Sequence, residues 1–129
     1  MTMKLLLGTH VLLWWLDDNP ALLEQAHSTI TDSHNLVALS AVTILEIGIK
    51  QALGKLTIPK NFFEIIKRQP FEMLSFAPDH SYGTGDLPMH HRYPFDRMII
   101  TQAKLEGFTV VTHDAVFRKY DIPVLEVWT

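Results

Sequence analysis

Cysteine is missing altogether from this sequence. That excludes disulfides and thiolate metal sites and fits a reducing compartment such as the cytoplasm. Long apolar runs are missing as well. The most apolar stretch, VLLWWL, stops at Asp17-Asp18, well short of the roughly 18 residues that a membrane span needs. Lys4 is followed by neither a proper hydrophobic region nor a small-residue cleavage site, so no signal peptide is expected. Positive charge is scarce: 11 Lys and Arg face 14 Asp and Glu, for a formal net charge of −3. No global basic field therefore draws the protein to nucleic acid, and such a partner needs a local basic patch or a bound cation. Repeats, low-complexity tracts and linkers are absent too.

What is present is a globular composition, 47% apolar and 19% charged in 129 residues, which predicts one domain over residues 1–129. Short β-rich runs predict strands at Lys4–Leu7, Leu36–Leu39, Met73–Ser75, Phe108–Thr112 and Val124–Trp128. Helices are predicted from Thr9 to Leu16 and from Pro20 to Thr31, the latter capped by Asn19 with Pro at N1. Ser40 caps another from Ala41 to Leu53, ended by Gly54. Pro59-Lys60-Asn61 starts one that stops before Pro70. PDHSYGTGDLP reads as a short, Gly-interrupted helix and a loop. Phe95 to Glu106 is amphipathic and closed by Gly107. The alternation gives an α/β fold with an open, mostly parallel sheet.

Three acids stand out by position. Glu46 lies in SAVTILEIGIK, on a helix that is apolar on most faces; a surface pair with Lys50 at i+4 explains it equally well. Asp96 starts a helix, where an acid is favoured by the dipole alone. Asp114 follows the fourth strand, where turn or cap duty is common. Taken together, however, these positions and position 8 fall around the crevice that a doubly wound sheet opens at its strand C-termini. Clustered carboxylates raise one another's pKa unless a cation holds them ionised. Hard oxygen donors without Cys suit Mg²⁺ or Mn²⁺, which can activate water and clamp a phosphodiester for in-line hydrolysis.

Four stretches, LLLGTHVLLWWL, SAVTILEIGIKQALGKL, LPMHHRYPFDRMIITQA and VVTHDAVFRKY, resemble in order the motifs of the PIN-domain nucleases. They are most similar to the VapC-like toxins of bacterial toxin–antitoxin pairs. The resemblance implies a PIN-like sheet flanked by helices and an RNA-cutting site in which four acids bind one or two divalent metals. It places Glu46, Asp96 and Asp114 as the second, third and fourth acids, Thr112 at the hydroxyl position before the last, and Arg97 at the basic position after the third, where it or nearby basic groups would steady phosphate. It also implies a homodimer and a cognate antitoxin reaching across the active site.

Two departures follow from the same resemblance. Gly8 stands where the first acid belongs, and Tyr93 where many relatives carry a further Asp. Each is one base change from Asp. The expectation is an attenuated nuclease with weak or undetectable cleavage and an intact fold; a catalytically inactive binding module that keeps the dimer and antitoxin surfaces is the alternative.

Other features have double readings. His90 and His91 are adjacent and no HxxxH or HExxH pair occurs, which disfavours a His-based metal site. With Arg92, Lys104, Arg118 and Lys119 they read as local phosphate contacts or as solvated loop. Trp14 and Trp15 offer a base-stacking face, or core for Trp14 and helix packing or a subunit interface for Trp15. Phe62-Phe63 with Ile65-Ile66 reads as a partner-helix groove or an ordinary buried helix. A phosphatase-like domain lacks support, because GTGD has no strand-then-helix context.

Overall fold

The structure, a computed structural model, describes residues 2–126. Five strands, β1 (Lys4–Leu7), β2 (Leu36–Ser40), β3 (Glu72–Leu74), β4 (Thr109–Thr112) and β5 (Val124–Glu126), form one sheet in the order β3-β2-β1-β4-β5. Every pairing is parallel, so the sheet is more uniform than the sequence predicted. The last two residues of the predicted fifth strand, Val127 and Trp128, lie outside the described residues.

Among the described residues six helices cover the two faces: α1 (Thr9–Leu16), α2 (Glu24–Thr31), α3 (Ala41–Ala52), α4 (Phe62–Lys67), α5 (Pro78–Thr84) and α6 (Pro94–Glu106). A 3₁₀ turn, Ala115–Lys119, follows β4. Alternation along the strands sorts the core. Leu5, Leu7, Val37, Leu39 and Val111 face α1, α2 and α4, while Leu6, Ala38 and Val110 face α6. Strands buried on both faces need continuous apolar runs, which LLL, VAL and VV supply. Among the described residues no helix is long and apolar enough to cross a membrane.

Two helices begin later than their sequence signals. Asn19 spends its side chain on the Ala21 amide at 2.9 Å, which closes a turn around Pro20 instead of capping a helix, and α2 starts at Glu24. The segment from Pro59 enters helix only at Phe62. α6 ends as predicted: Gly107 takes φ 75°, a left-handed conformation that a Cβ would disfavour.

The strand order reverses across β1. β2 lies on one side of it and β4 on the other, so the helices leaving β1 and β2 and the turn leaving β4 diverge around a common gap. Buried polar ties fix the surroundings of that gap. Ser40 Oγ accepts from the Val42 amide at 3.0 Å and donates to Gln102 Oε1 at 2.5 Å. Gln102 Nε2 donates to the Ser75 carbonyl at 3.1 Å, which joins α6 to the start of α3 and to the exit of β3.

Candidate active site

A cleft of about 330 Å³ opens at the C-terminal ends of β1 and β4. Glu46 from α3, Asp96 from the first turn of α6 and Asp114 after β4 all line it, with Gly8 at its floor. The structure thus gathers the three predicted acids from segments far apart in sequence.

Each acid is held differently. Glu46 is 6% exposed. Its Oε1 accepts from Thr9 Oγ1 at 2.6 Å, and its Oε2 accepts from Tyr93 Oη at 2.6 Å and from Lys50 Nζ at 2.9 Å. Burial alone would push this carboxyl up, but the donors outweigh it and leave it below its ordinary range. The i+4 pair with Lys50 therefore exists, yet it lies at the cleft and not on an ordinary solvated surface. Burial, followed by the hydrogen bond to Glu46, pushes the Tyr93 hydroxyl up, which keeps it a donor.

Asp96 Oδ2 faces His91 Nε2 at 3.2 Å, and His91 Nδ1 meets Tyr120 Oη at 2.7 Å. Burial pushes the Asp96 carboxyl up to about 6; the His91 contact opposes this, while the Glu46 and Asp114 charges add to it. Asp114 Oδ1 accepts from the Val116 amide at 3.0 Å and so caps the 3₁₀ turn, as its simple reading required. Thr112, buried at the end of β4, accepts the Asp114 amide on Oγ1 at 3.0 Å and sets that acid's direction.

Arg97 departs from its expected place. It is buried, and its guanidinium donates to the carbonyls of Pro88, His91, Leu87 and Thr84 and to Tyr120 Oη. It does not line the cleft. With its donors committed to the 84–91 segment, it fixes the loop that carries His91. Arg118 pairs with Glu126. His90 stacks edge-on against Tyr120 with ring centres 4.9 Å apart.

Sequence reasoning missed Thr9, and it missed His10 and His113 as cleft walls. Their rings are 4.5 Å apart, and Trp14 meets His113 edge-on at 5.3 Å. Burial, then His113 and Lys50, lower the His10 pKa, so this ring is neutral near pH 7. Position after a strand end was the available signal for Thr9 and His113. Trp15 packs against Phe71 and His27, under a neighbouring helix as one reading had it.

As the side chains stand, no group of three or more His, Asp or Glu among the described residues is close enough to hold a metal ion. The donor chemistry nevertheless fits a hard divalent cation. Three carboxylates share one cleft, Asp96 carries a penalty for its negative charge, and Lys50 already places a positive charge on Glu46.

A pH-dependent result follows from Asp96. Its folded pKa of about 6 lies above the ordinary 3.8. As pH rises between those values the unfolded chain releases the proton first, so stability falls and the loss is complete above pH 6. At 1.36 kcal/mol per unit the shift bounds the loss at about 3 kcal/mol. Partial solvent access and a surrendered His91 contact reduce this to about 1–2 kcal/mol. Asp96→Asn, unfolded in chelator, is expected to match the parent below pH 4 and to exceed it by that margin above pH 6. A parent advantage at pH 7.5 in chelator would contradict the burial argument.

Comparison with known families matches residues 5–123 to the PIN domain. No curated protein matches the chain. Solved structures with the same fold include VapBC2 from Rickettsia felis bound to a DNA fragment from its promoter, with 19% identity, 98% of this chain, all of that chain and a TM-score of 0.73. DNA-bound VapBC from Salmonella typhimurium gives 18% identity, 96% and 98% coverage and 0.73. VapBC-5 from Mycobacterium tuberculosis gives 17%, 98% of both chains and 0.63.

Proposed function

Because this chain belongs to the PIN-domain family, we propose that it is a metal-dependent endoribonuclease, the toxin of a toxin–antitoxin pair, weakened at Gly8. The observation that carries this reading is the convergence of Glu46, Asp96 and Asp114 on one cleft at the strand-order reversal. Those three side chains would hold Mg²⁺ or Mn²⁺, which supplies Lewis acidity toward a phosphodiester and a more acidic bound water. Thr9 and Tyr93 orient Glu46, His91 orients Asp96, and Thr112 orients Asp114. His10 and His113 wall the same cleft, with Trp14 packed against both rings, and offer ring faces to an RNA base.

Partners follow from the surface. Leu13, Leu16, Leu56, Ile58, Phe62 and Ile65 line a second cavity of about 240 Å³, suited to an apolar antitoxin segment. The similar structures are toxin–antitoxin assemblies by description, which supports a cognate antitoxin here. Leu45, Ile49 and Leu53 expose an apolar stripe along α3, which supports a homodimer. The cytoplasm is the compartment that a Cys-free chain with an RNA substrate fits.

One observation favours a second reading, an inactive binding module: Gly8 offers no ligand while both oxygens of Glu46 already have donors from its own neighbours. Incubation of a mixed RNA pool with the protein and with Asp114→Asn, with Mg²⁺, Mn²⁺ or chelator, separates the two. Cleavage that needs the ion and disappears in Asp114→Asn supports the nuclease. Cleavage that survives both chelation and the substitution contradicts the assigned site. If the protein and its Gly8→Asp form both fail to cut while both bind an antitoxin peptide, the binding module is the better account.

A further inference from the structure

Lys50 lies one helical turn beyond Glu46, on the same face of α3. An exposed pair at this spacing contributes a few tenths of a kcal/mol. This pair is different, because the carboxylate is buried and the amine is two-thirds covered, with side-chain exposures of 8% and 31%. The ammonium is also clamped. Lys50 Nζ sits 5.5 Å from the centre of the Tyr93 ring, within cation–π reach. The hydroxyl of that same ring donates to the oxygen that Lys50 holds.

Both oxygens of Glu46 are thereby occupied, Oε1 by a hydroxyl and Oε2 by a hydroxyl and an ammonium. A divalent cation that takes Oε2 must share that oxygen with an ammonium already 2.9 Å from it, and two cations at one oxygen repel strongly where solvent is sparse. Lys50 stands on a flexible four-carbon stem and can withdraw. Thr9 and Tyr93 are neutral and carry no such conflict.

We infer that Lys50 is a tethered cation that competes with a divalent ion for Glu46. It balances the carboxylate when the metal is away and must leave Oε2 before the metal arrives. The inference rests on the metal-dependent reading above and deepens it: metal affinity is set by an exchange of cations and not by the number of acids alone. Lys50 is thus a positioning residue that acts through Glu46.

The test is Mn²⁺ binding by calorimetry or electron paramagnetic resonance on the intact protein, on Lys50→Gln, on Lys50→Arg and on Asp114→Asn. Amine labelling of Lys50 in the unaltered chain is followed by mass spectrometry with and without Mg²⁺. Lys50→Gln is expected to bind Mn²⁺ about tenfold more tightly, equivalent to about 1.4 kcal/mol. Lys50→Arg should stay weak, and Mg²⁺ should speed labelling of Lys50. Affinity in Lys50→Gln equal to or below that of the parent, with binding lost in Asp114→Asn, overturns the competition and leaves the metal site standing. Unchanged labelling at saturating Mg²⁺ overturns it without reliance on any variant's folding. Absence of Mn²⁺ binding in every protein overturns the metal reading and this inference with it.

Discussion

Gly8→Asp is expected to raise divalent-dependent RNA cleavage by about two orders of magnitude, the scale on which a misplacement of about 1 Å at a reacting centre lowers a rate. The backbone at Gly8 does not require glycine. Its φ of −70° and ψ of 163° are ordinary extended values open to any residue. The obstacle is proximity: a Cβ there would lie 3.1 Å from the Val111 carbonyl oxygen, the same oxygen that accepts the Gly8 amide at 2.8 Å. A shift of a few tenths of an ångström between adjacent strands relieves that contact. Less backbone entropy lost on folding offsets the strain, so net stability should change by no more than about 1 kcal/mol. The new carboxylate would enter the cleft beside Thr112 and opposite the other three acids. More crowding of negative charge should also make the protein more dependent on divalent ions for stability. The comparison needs cleavage rates and Mn²⁺ affinities for both proteins; if both quantities are unaltered, the weight placed on position 8 is wrong.

Arg97→Ala is expected to cost about 2–4 kcal/mol of folding stability, because several charge-assisted hydrogen bonds are lost together and their buried acceptors are left unpaired. The side chain is 6% exposed. Its strongest bonds run to the Pro88 carbonyl at 2.9 Å, to the Leu87 carbonyl at 3.2 Å and to Tyr120 Oη at 3.2 Å. Truncation orphans these acceptors and leaves a void the size of a guanidinium. Arg97→Lys should recover little, because an ammonium cannot span acceptors that a planar fork reaches together. The effect should also appear at the cleft, since loosening of residues 84–91 frees His91 from Asp96. Urea denaturation with an unchanged slope and a midpoint shift worth less than about 1 kcal/mol would contradict this assignment.

The sequence displayed the fold where local chemistry and burial agree. LLL, VALS and TVVT could be read as strands because strands covered on both faces are apolar throughout, and Gly107 marked the end of α6 because only a left-handed residue closes it there. Signals failed where a side chain had two local uses. Asn19 caps a turn and not a helix, so α2 begins at Glu24. β3 lies at a sheet edge with two of its three residues exposed, and its predicted span was one residue late. At the site, strand-end logic placed Gly8, Glu46, Asp96 and Asp114 in one cleft. The partners of those acids were less visible. Thr9 and His91 reach them through contacts 37 and 5 residues apart in sequence, with no periodicity to announce either. The inward turn of Arg97 was not legible either, because nothing local reveals the carbonyls that hold its guanidinium.

The central claim, that this cleft is a divalent-metal site lacking one ligand, is tested most directly by anomalous diffraction from crystals of the Gly8→Asp protein soaked in Mn²⁺. The predicted result is a Mn²⁺ peak coordinated by Glu46, Asp96 and Asp114 together with the new carboxylate, with Lys50 withdrawn from Glu46. A saturating soak that leaves the cleft without a peak, or that places Mn²⁺ away from these acids, would contradict the account.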